Sequence, residues 1–199
     1  MYRWHVMERI AERRLIAIVR AQSAQAAVAA ALRAVDAGLD VVEVSLTTPG
    51  ALQAVEQVVR ARPEAVVGAG TVLDEASARL AALAGARFLV SPSTHRAVLS
   101  TGHRYGLAVL PGVATPTEIV AALEAGADAV KLFPARASSP AVLRDVLQAL
   151  PQAPVVPTGG VTADNAPEWI AAGAVACGVG GALGAGDPAG LLAAVRAAR

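Results

Sequence analysis

The segment 23–44, SAQAAVAAALRAVDAGLDVVEV, contains the unit from which the fold is predicted. Alanine, valine and leucine recur with helical period from Ser23 onward, and the run ends at Gly38, the residue type expected just past a helix C-terminus. Residues 40–44 follow as a short apolar strand candidate. The segment therefore predicts a helix that leads directly into a strand.

The same unit recurs along the whole chain. The pattern Ala-Gly-(Ala/Leu) precedes a strand candidate at 37–39, 84–86, 125–127 and 172–174. The strand candidates are 15–19, 40–44, 65–68, 87–90, 108–110, 129–132, 155–157 and 175–179. Eight strands alternating with helices predict an α/β protein, a (β/α)8 TIM barrel with an extra N-terminal helix at about 4–14. No Gly-x-Gly-x-x-Gly follows the first strand, which weakens a doubly wound dinucleotide-binding alternative. We expect one domain, residues 1–199.

Composition narrows the class of protein. The chain has 199 residues, 55% hydrophobic and 17% charged, with a formal net charge of +1. Mixed charges predict no nucleic-acid partner, and no apolar stretch is long enough for a membrane helix. The N-terminal region is too charged for a signal peptide, so we expect a cytoplasmic protein. Cys177 reads as a buried, inert thiol, and the three histidines show no metal-ligand spacing. We therefore expect neither a metal nor another cofactor.

Lys131 is the most informative single residue. It is the only lysine, in a chain whose other positive side chains are all arginine, and it lies in the apolar run AVKLFP, residues 129–134. An amine can lose its proton and attack a carbonyl to form a Schiff base, whereas a guanidinium cannot. Strand alternation predicts that Lys131 points into the barrel together with Ala129 and Phe133. The alternative is a lysine left by chance, with its head group in water.

Two further charged residues interrupt apolar strands. Glu43 lies in the second strand, where a lone carboxylate is costly unless it is paired or functional. Arg20 follows the first strand and is suited to bind a carboxylate or a phosphate. Glu43 could instead form a purely structural ion pair with an arginine such as Arg20. Arg20 could instead be an ordinary solvated loop residue. Because active sites of such barrels lie at the C-terminal ends of the strands, both are candidate site residues.

Glycine clusters end the last two predicted strands, as PTGG at 157–160 and GVGG at 178–181. Glycines at these loops let backbone amides converge on a phosphate, a recurring use of strands 7 and 8 in this fold. Shorter polar segments, GAGT at 68–71 and SP at 91–92, follow strands three and four. A lysine, a carboxylate and a phosphate site facing one cavity favour a carbon–carbon lyase of the Schiff-base type.

These motifs resemble a known family. EVSLT (43–47), GAGTV (68–72), SP (91–92), PGV (111–113), KLFP (131–134) and PTGGV (157–161) are similar in order and spacing to those of the 2-keto-3-deoxy-6-phosphogluconate (KDPG) aldolases, also called KDPG/KHG aldolases. The resemblance runs from about residue 16 to 183. It implies a class I aldolase that needs no metal and is commonly a homotrimer.

The resemblance also implies a role for each matching residue. Lys131 would form the Schiff base and Glu43 would transfer protons. The pyruvate half of the site would be shaped by Thr71, Pro92 and Phe133. The phosphate end would be held by Arg20, Gly159, Gly160 and Gly180, in the loops that also contain Thr158 and Gly181.

Two positions depart from the pattern of some family members. Thr47 stands where several have an arginine that holds the substrate carboxylate, which leaves the carboxylate anchor open. Gly181 stands where many have a serine that donates to the phosphate, which leaves the strength of phosphate preference open.

The expected substrate is therefore a phosphorylated 2-keto acid, KDPG, cleaved to pyruvate and glyceraldehyde 3-phosphate. Alternatives within lyases are aldolases for 4-hydroxy-2-oxoglutarate (KHG) or for the galactonate isomer of KDPG. A different class, a phosphate-binding barrel of the thiamine phosphate synthase or isomerase kind, would not need a nucleophilic amine. A non-catalytic phosphate-binding module is a third alternative.

Overall fold

The computed structural model describes residues 1–180 and 188–198, in which parallel strands alternate with helices. The strands are β1 (Leu15–Val19), β2 (Val41–Ser45), β3 (Val66–Gly70), β4 (Phe88–Val90), β5 (Ala108–Leu110), β6 (Gly112–Val113), β7 (Val130–Leu132), β8 (Val155–Pro157) and β9 (Cys177–Val179). The helices are α1 (Arg3–Arg13), α2 (Ala24–Asp36), α3 (Ala51–Ala61), α4 (Glu75–Leu83), α5 (Arg96–Arg104), α6 (Pro116–Glu124), α7 (Pro140–Ala149), α8 (Ala166–Ala171) and α9 (Pro188–Ala197). A 3₁₀ helix (Ala135–Ala137) follows β7.

The strands form the predicted (β/α)8 barrel. One sheet has the order β5-β4-β3-β2-β1-β9, and a second has the order β6-β7-β8, with every pairing parallel. β8 meets β9 through a parallel bridge between Thr158 and Gly178 and a hydrogen bond from the Val175 amide to the Val155 carbonyl, 3.0 Å. At the other junction, β5 pairs with β4 while β6 pairs with β7, so the two sheets join into one closed wall.

The fifth predicted strand, 108–110, is confirmed as β5, but the structure continues it past Pro111 into a further short strand, β6. Proline has no amide proton to donate to a strand ladder, but its carbonyl can still accept. The Lys131 amide donates to the Pro111 carbonyl at 2.8 Å, so pairing with β7 continues across the break. The other boundaries move by up to two residues. In particular, β2 runs on to Ser45, so that Glu43 lies within the strand and not at its end.

The helix-to-strand turns are as the repeat predicts. Gly38, Gly85, Gly126 and Gly173 all have positive φ angles, between 93° and 105°. This left-handed region is costly for residues with a Cβ, so glycine is the residue that lets each helix end and the chain turn back into the barrel. The local repeat in the sequence thus records a backbone requirement of each unit.

The core has two layers. The larger layer, called the outer layer below, packs the outward-facing strand residues against the helices. The inner layer fills the barrel, and its buried members are Val6, Ile10, Ile16, Val41, Val66, Phe88, Val90, Ala108, Leu110, Ala129, Val156 and Ala176. Alternation along each strand divides its side chains between the two layers.

Helix α1 covers the N-terminal end of the barrel. Its residues Val6 and Ile10 are fully buried in the inner layer. Arg9 and Arg13 both bind the carboxylate of Asp40, which directly precedes β2, at 2.8 Å. The helix ends at Arg13, one residue earlier than predicted, because Arg14 has a left-handed conformation with φ of 58°. With this end closed, the opposite end of the barrel is left for the site.

Candidate active site

Lys131 and Glu43 meet across the barrel. Lys131 lies on β7 between Val130 and Leu132, which both belong to the outer layer, so its own side chain points inward. Glu43 points inward from β2 for the same reason. The Lys131 Nζ lies 3.9 Å from Glu43 Oε1, and the two side chains are 8% and 3% exposed. This burial argues against a lysine that only reaches for water, and the Glu43 ion pair is with Lys131.

Burial raises the pKa of the Glu43 carboxyl, and this effect outweighs the positive charges of Lys131 and Arg20, which lower it. Desolvation disfavours the charged form of a carboxyl group, as it does in many catalytic acids and bases. The space for this side chain comes from β3: a Cβ on Gly70 would overlap the Glu43 carboxylate. A glycine on one strand therefore allows a carboxylate on its neighbour.

Four side chains form a hydrogen-bonded row beside Glu43. Arg20 Nε donates to Thr47 Oγ1 at 3.1 Å. Ser45 Oγ lies 2.8 Å from Thr47 Oγ1 and 3.0 Å from Thr71 Oγ1. Ser45 is completely buried, whereas Arg20 and Thr47 lie at the exposed rim. Three of the predicted site residues, Arg20, Thr47 and Thr71, are thus brought together by a fourth, Ser45.

Thr71 has an unusual backbone, with φ of 60°. A β-branched residue rarely adopts this left-handed conformation, and such residues are concentrated at functional sites. Here the conformation follows the last residue of β3 and allows the hydroxyl group to reach the inward-facing Ser45.

Phe133 and Pro92 border the lysine on another side. The Lys131 Nζ lies 5.1 Å from the centroid of the Phe133 ring, which is 36% exposed at the mouth. Pro92 packs so closely on β6 that a Cβ on Gly112 would overlap its backbone. A cavity of about 280 Å³ opens beside these residues and is lined by Pro92, Ser93, Thr94, Gly112, Val113, Ala114, Glu118 and Phe133.

The glycine loop after β8 lies against the segment that follows β7. Gly159 and Gly160 have φ angles of 85° and 104°. A Cβ on Gly159 would come within 3.0 Å of the Phe133 ring, and the carbonyl of Gly159 accepts from the Arg136 amide at 2.9 Å. Glycine is therefore required here by both conformation and space, whatever the loop binds.

The neighbouring strand β9 completes this side of the site. Thr158 is buried and forms the bridge to Gly178, and Gly180 lies beside Ile18 of β1. These residues reach the same end of the barrel as Lys131, as predicted. Gly181 lies outside the described residues.

Sequence reasoning missed Ser45 as a site residue. Its position two residues after Glu43 on the same strand is a signal that could have identified it, because strand alternation puts both on the inner face. Within residues 1–180 and 188–198, no group of three His, Cys, Asp or Glu side chains could hold a metal ion. None of the helices in the described part of the chain is long and apolar enough to cross a bilayer.

Comparison with known proteins supports one family. The profile of the KDPG and KHG aldolase family matches residues 6–193. The 2-dehydro-3-deoxy-6-phosphogalactonate aldolase of Escherichia coli (strain K12) is 39% identical over 171 residues, 85% of this chain and 83% of that enzyme.

Solved structures agree with this match. A structure described as native KDPGal has a TM-score of 0.85 at 36% identity, and the match covers 92% of this chain and 95% of the other. A KDPG aldolase from Legionella pneumophila, solved with pyruvate captured at low pH as a covalent carbinolamine intermediate, has a TM-score of 0.78 at 28% identity and 95% coverage of both chains.

Proposed function

Because this chain belongs to the KDPG and KHG aldolase family, we propose that it is a class I aldolase that cleaves KDPG to pyruvate and glyceraldehyde 3-phosphate. The observation that carries the proposal is the buried Lys131 amine 3.9 Å from the Glu43 carboxylate in the barrel. The carbinolamine with pyruvate in the Legionella pneumophila relative supports covalent chemistry in the family.

In the proposed mechanism, the unprotonated amine of Lys131 adds to the C2 ketone of the substrate. Glu43 accepts and returns protons while water leaves and the iminium forms. It then takes the proton of the C4 hydroxyl as the C3–C4 bond breaks, and the electron pair moves into the iminium to give an enamine. Protonation at C3 and hydrolysis release pyruvate and restore the lysine. A carboxyl group with a raised pKa suits both directions of proton transfer.

We propose that Arg20 binds the substrate carboxylate. The family resemblance assigns it to the phosphate end, but its hydrogen bond is to Thr47, the position at which several relatives hold the carboxylate with an arginine. Arg20 also lies close enough to Glu43 to lower the pKa of that carboxyl group. With Nε engaged by Thr47, both terminal nitrogens of the guanidinium remain for a bidentate contact with a carboxylate. An arginine directly after β1 would thus take the role of the one absent from position 47.

The phosphate end is proposed at the loops after β8 and β9. Gly159 and Gly160 follow β8 and Gly180 follows β9, so their loops leave neighbouring strands at the same end of the barrel, and Gly181 continues the second loop in the sequence. Glycine loops of this kind bind phosphate through backbone amides. Thr158 would support the first loop from its buried position.

A second candidate substrate is the galactonate isomer of KDPG, because the E. coli relative named for it is 39% identical. KHG is a third, since the family description includes it. The thiamine phosphate synthase alternative loses its basis, because the matching family is one of aldolases.

The test has two steps. The protein is incubated with pyruvate and borohydride and then weighed, with Lys131→Arg as the control. One reduced pyruvyl group on wild type and none on the variant is expected, and an unmodified wild type would refute the Schiff base and favour a non-catalytic module. Initial rates with KDPG, its galactonate isomer and KHG then rank the substrates, and the highest kcat/KM identifies the preferred one.

We also propose that residues 1–199 form a single barrel domain and that the protein is a cytoplasmic homotrimer. The homotrimer rests on the resemblance to the family alone. Light scattering on the purified chain tests it, with the mass expected at three times 20.0 kDa.

A further inference from the structure

The hydrogen bonds of the row Arg20, Thr47, Ser45 and Thr71 can all run in one direction, away from Arg20. A guanidinium can only donate hydrogen bonds, so Thr47 Oγ1 must accept from Arg20 Nε. Each hydroxyl group has one proton to donate. Thr47 can therefore donate its hydroxyl proton to Ser45 Oγ, 2.8 Å away, and Ser45 can donate its own to Thr71 Oγ1, 3.0 Å away. When all the hydrogen bonds run this way, the row begins at the Arg20 guanidinium and ends at Thr71, whose hydroxyl oxygen accepts a hydrogen bond from Ser45.

The end of the row faces the site. Within the described residues, Ser45 is the one hydrogen-bond partner of Thr71 Oγ1, so when Ser45 donates to Thr71 the proton of Thr71 is available for a ligand. Thr71 is half-buried, directly after the glycine that makes room for Glu43. Successive hydrogen bonds polarise one another, and a row that starts at a guanidinium makes the last hydroxyl group a better donor to an anion.

We propose that Ser45 is a positioning residue that holds Thr71 as a donor to the substrate carboxylate. The inference rests on the proposed function. Ser45 itself is fully buried and touches no substrate. It acts by holding Thr71 in its left-handed conformation and by connecting that residue to the charge of Arg20. Carboxylate recognition is thereby divided between Arg20 and the far end of the row.

The experiment measures the concentration of pyruvate that half-saturates borohydride inactivation, and the same quantity for methyl pyruvate, which has the ketone but no carboxylate. In Ser45→Ala we expect the value for pyruvate to rise about 3- to 10-fold, the effect of losing one hydrogen bond. The value for methyl pyruvate and the inactivation rate at saturation should stay as in wild type, because Lys131 and Glu43 are untouched.

A matched control is Ser91→Ala. Ser91 is also buried, and its hydroxyl donates to the Val72 carbonyl at 2.5 Å, outside the row. This variant should lower the melting temperature without changing the ratio between the two ketones. Thr47→Val, at an exposed position, breaks the row without risk to the core. Combining it with Ser45→Ala should give less than the sum of the two separate effects, since both changes interrupt the same row.

Equal losses for pyruvate and methyl pyruvate in Ser45→Ala, or no loss for either, would overturn the proposal. So would additive effects of the two substitutions. A wild type that forms no pyruvate adduct overturns the proposed function itself and this inference with it, and that result is seen before any variant is compared.

Discussion

At the scale of the residue, the environment of Lys131 suits an amine better than a guanidinium. Phe133 borders it, Glu43 lies within ion-pair distance, and both members of the ion pair are buried. A lysine amine can act as a nucleophile towards a ketone, whereas the guanidinium of arginine cannot. The proposed nucleophile, the proposed proton acceptor and an aromatic ring thus lie together in the barrel.

Lys131→Arg should reduce KDPG cleavage to less than about one-thousandth of wild type, because no iminium can form. Initial rates with KDPG measure this, and a melting curve confirms that the variant is folded. Retained turnover above that level in a folded variant would exclude the lysine as the nucleophile.

Glu43 should control the acidic limb of the pH–rate profile. Its pKa is raised above the ordinary value of 4.5, so the carboxylate is lost, and kcat falls, at a higher pH than for an exposed glutamate. In Glu43→Gln the rate should be about 10²- to 10⁴-fold lower and this limb should disappear. A limb at the same pH in the glutamine variant would assign the titration to another group.

Arg20→Ala should weaken the carboxylate end of the site. The concentration of pyruvate needed for half-maximal borohydride trapping should rise about 10-fold or more, since hydrogen bonds to charged groups are the stronger kind. The ratio of kcat/KM between KDPG and KHG should change little. If that ratio collapses while pyruvate trapping is unaffected, Arg20 binds the phosphate.

At the scale of the element, the sequence of β3 is constrained by the side chains that its neighbouring strands place inside the barrel. Its sequence is VVGAG, and its two glycines face inward. A Cβ on Gly68 would overlap the Phe88 ring, and one on Gly70 would overlap the Glu43 carboxylate. The strand thus makes room for a core aromatic near its middle and for the Glu43 carboxylate at its end.

The two glycines should therefore respond differently to substitution. Gly70→Ala should lower kcat at least 10-fold, because Glu43 must move. Gly68→Ala should mainly lower the free energy of unfolding, by about 1–3 kcal/mol, as expected for an overpacked core. Gly106→Ala is the control for backbone strain alone, since φ there is 74° and a Cβ meets nothing within 4 Å, so this variant should lose stability but keep the kcat of wild type. Equal kcat losses at positions 68 and 70 would contradict this division.

At the scale of the whole molecule, the barrel is closed at one end and carries the candidate active site at the other. Helix α1 seals the N-terminal end with Val6 and Ile10, and Lys131, Glu43 and the glycine loops gather at the C-terminal end. The wall between them is continuous in hydrogen bonding, so the inner layer is protected as long as the barrel stays intact.

The rate at which Cys177 is labelled should show whether the barrel is intact. It lies fully buried on β9, and burial raises the pKa of its thiol to about 12. At pH 8 only about 10⁻⁴ of such a thiol is ionised, so iodoacetamide should not label the native protein. The labelling rate should rise with denaturant in parallel with the loss of circular dichroism. Rapid labelling without denaturant would mean that β9 opens locally.

Much of the fold could be predicted from local sequence. The four Ala-Gly-(Ala/Leu) repeats mark turns because the backbone there has a positive φ, and alternation along β7 correctly gave the inward direction of Lys131. These features depend on a few neighbouring residues, so periodicity and residue type are sufficient to find them. The candidate site residues were also found in the sequence, from the single lysine and from the motifs that resemble the family.

Contacts across the barrel were decided only by the tertiary structure. The distance between Lys131 and Glu43, the continuation of the fifth strand past Pro111, and the row from Arg20 through Ser45 to Thr71 all depend on how the closed sheet sets neighbouring strands in register. A one-residue change of register would turn each of these side chains to the other face. Sequence alone determined which side chains face inward from their strands, but barrel closure decided which of them meet.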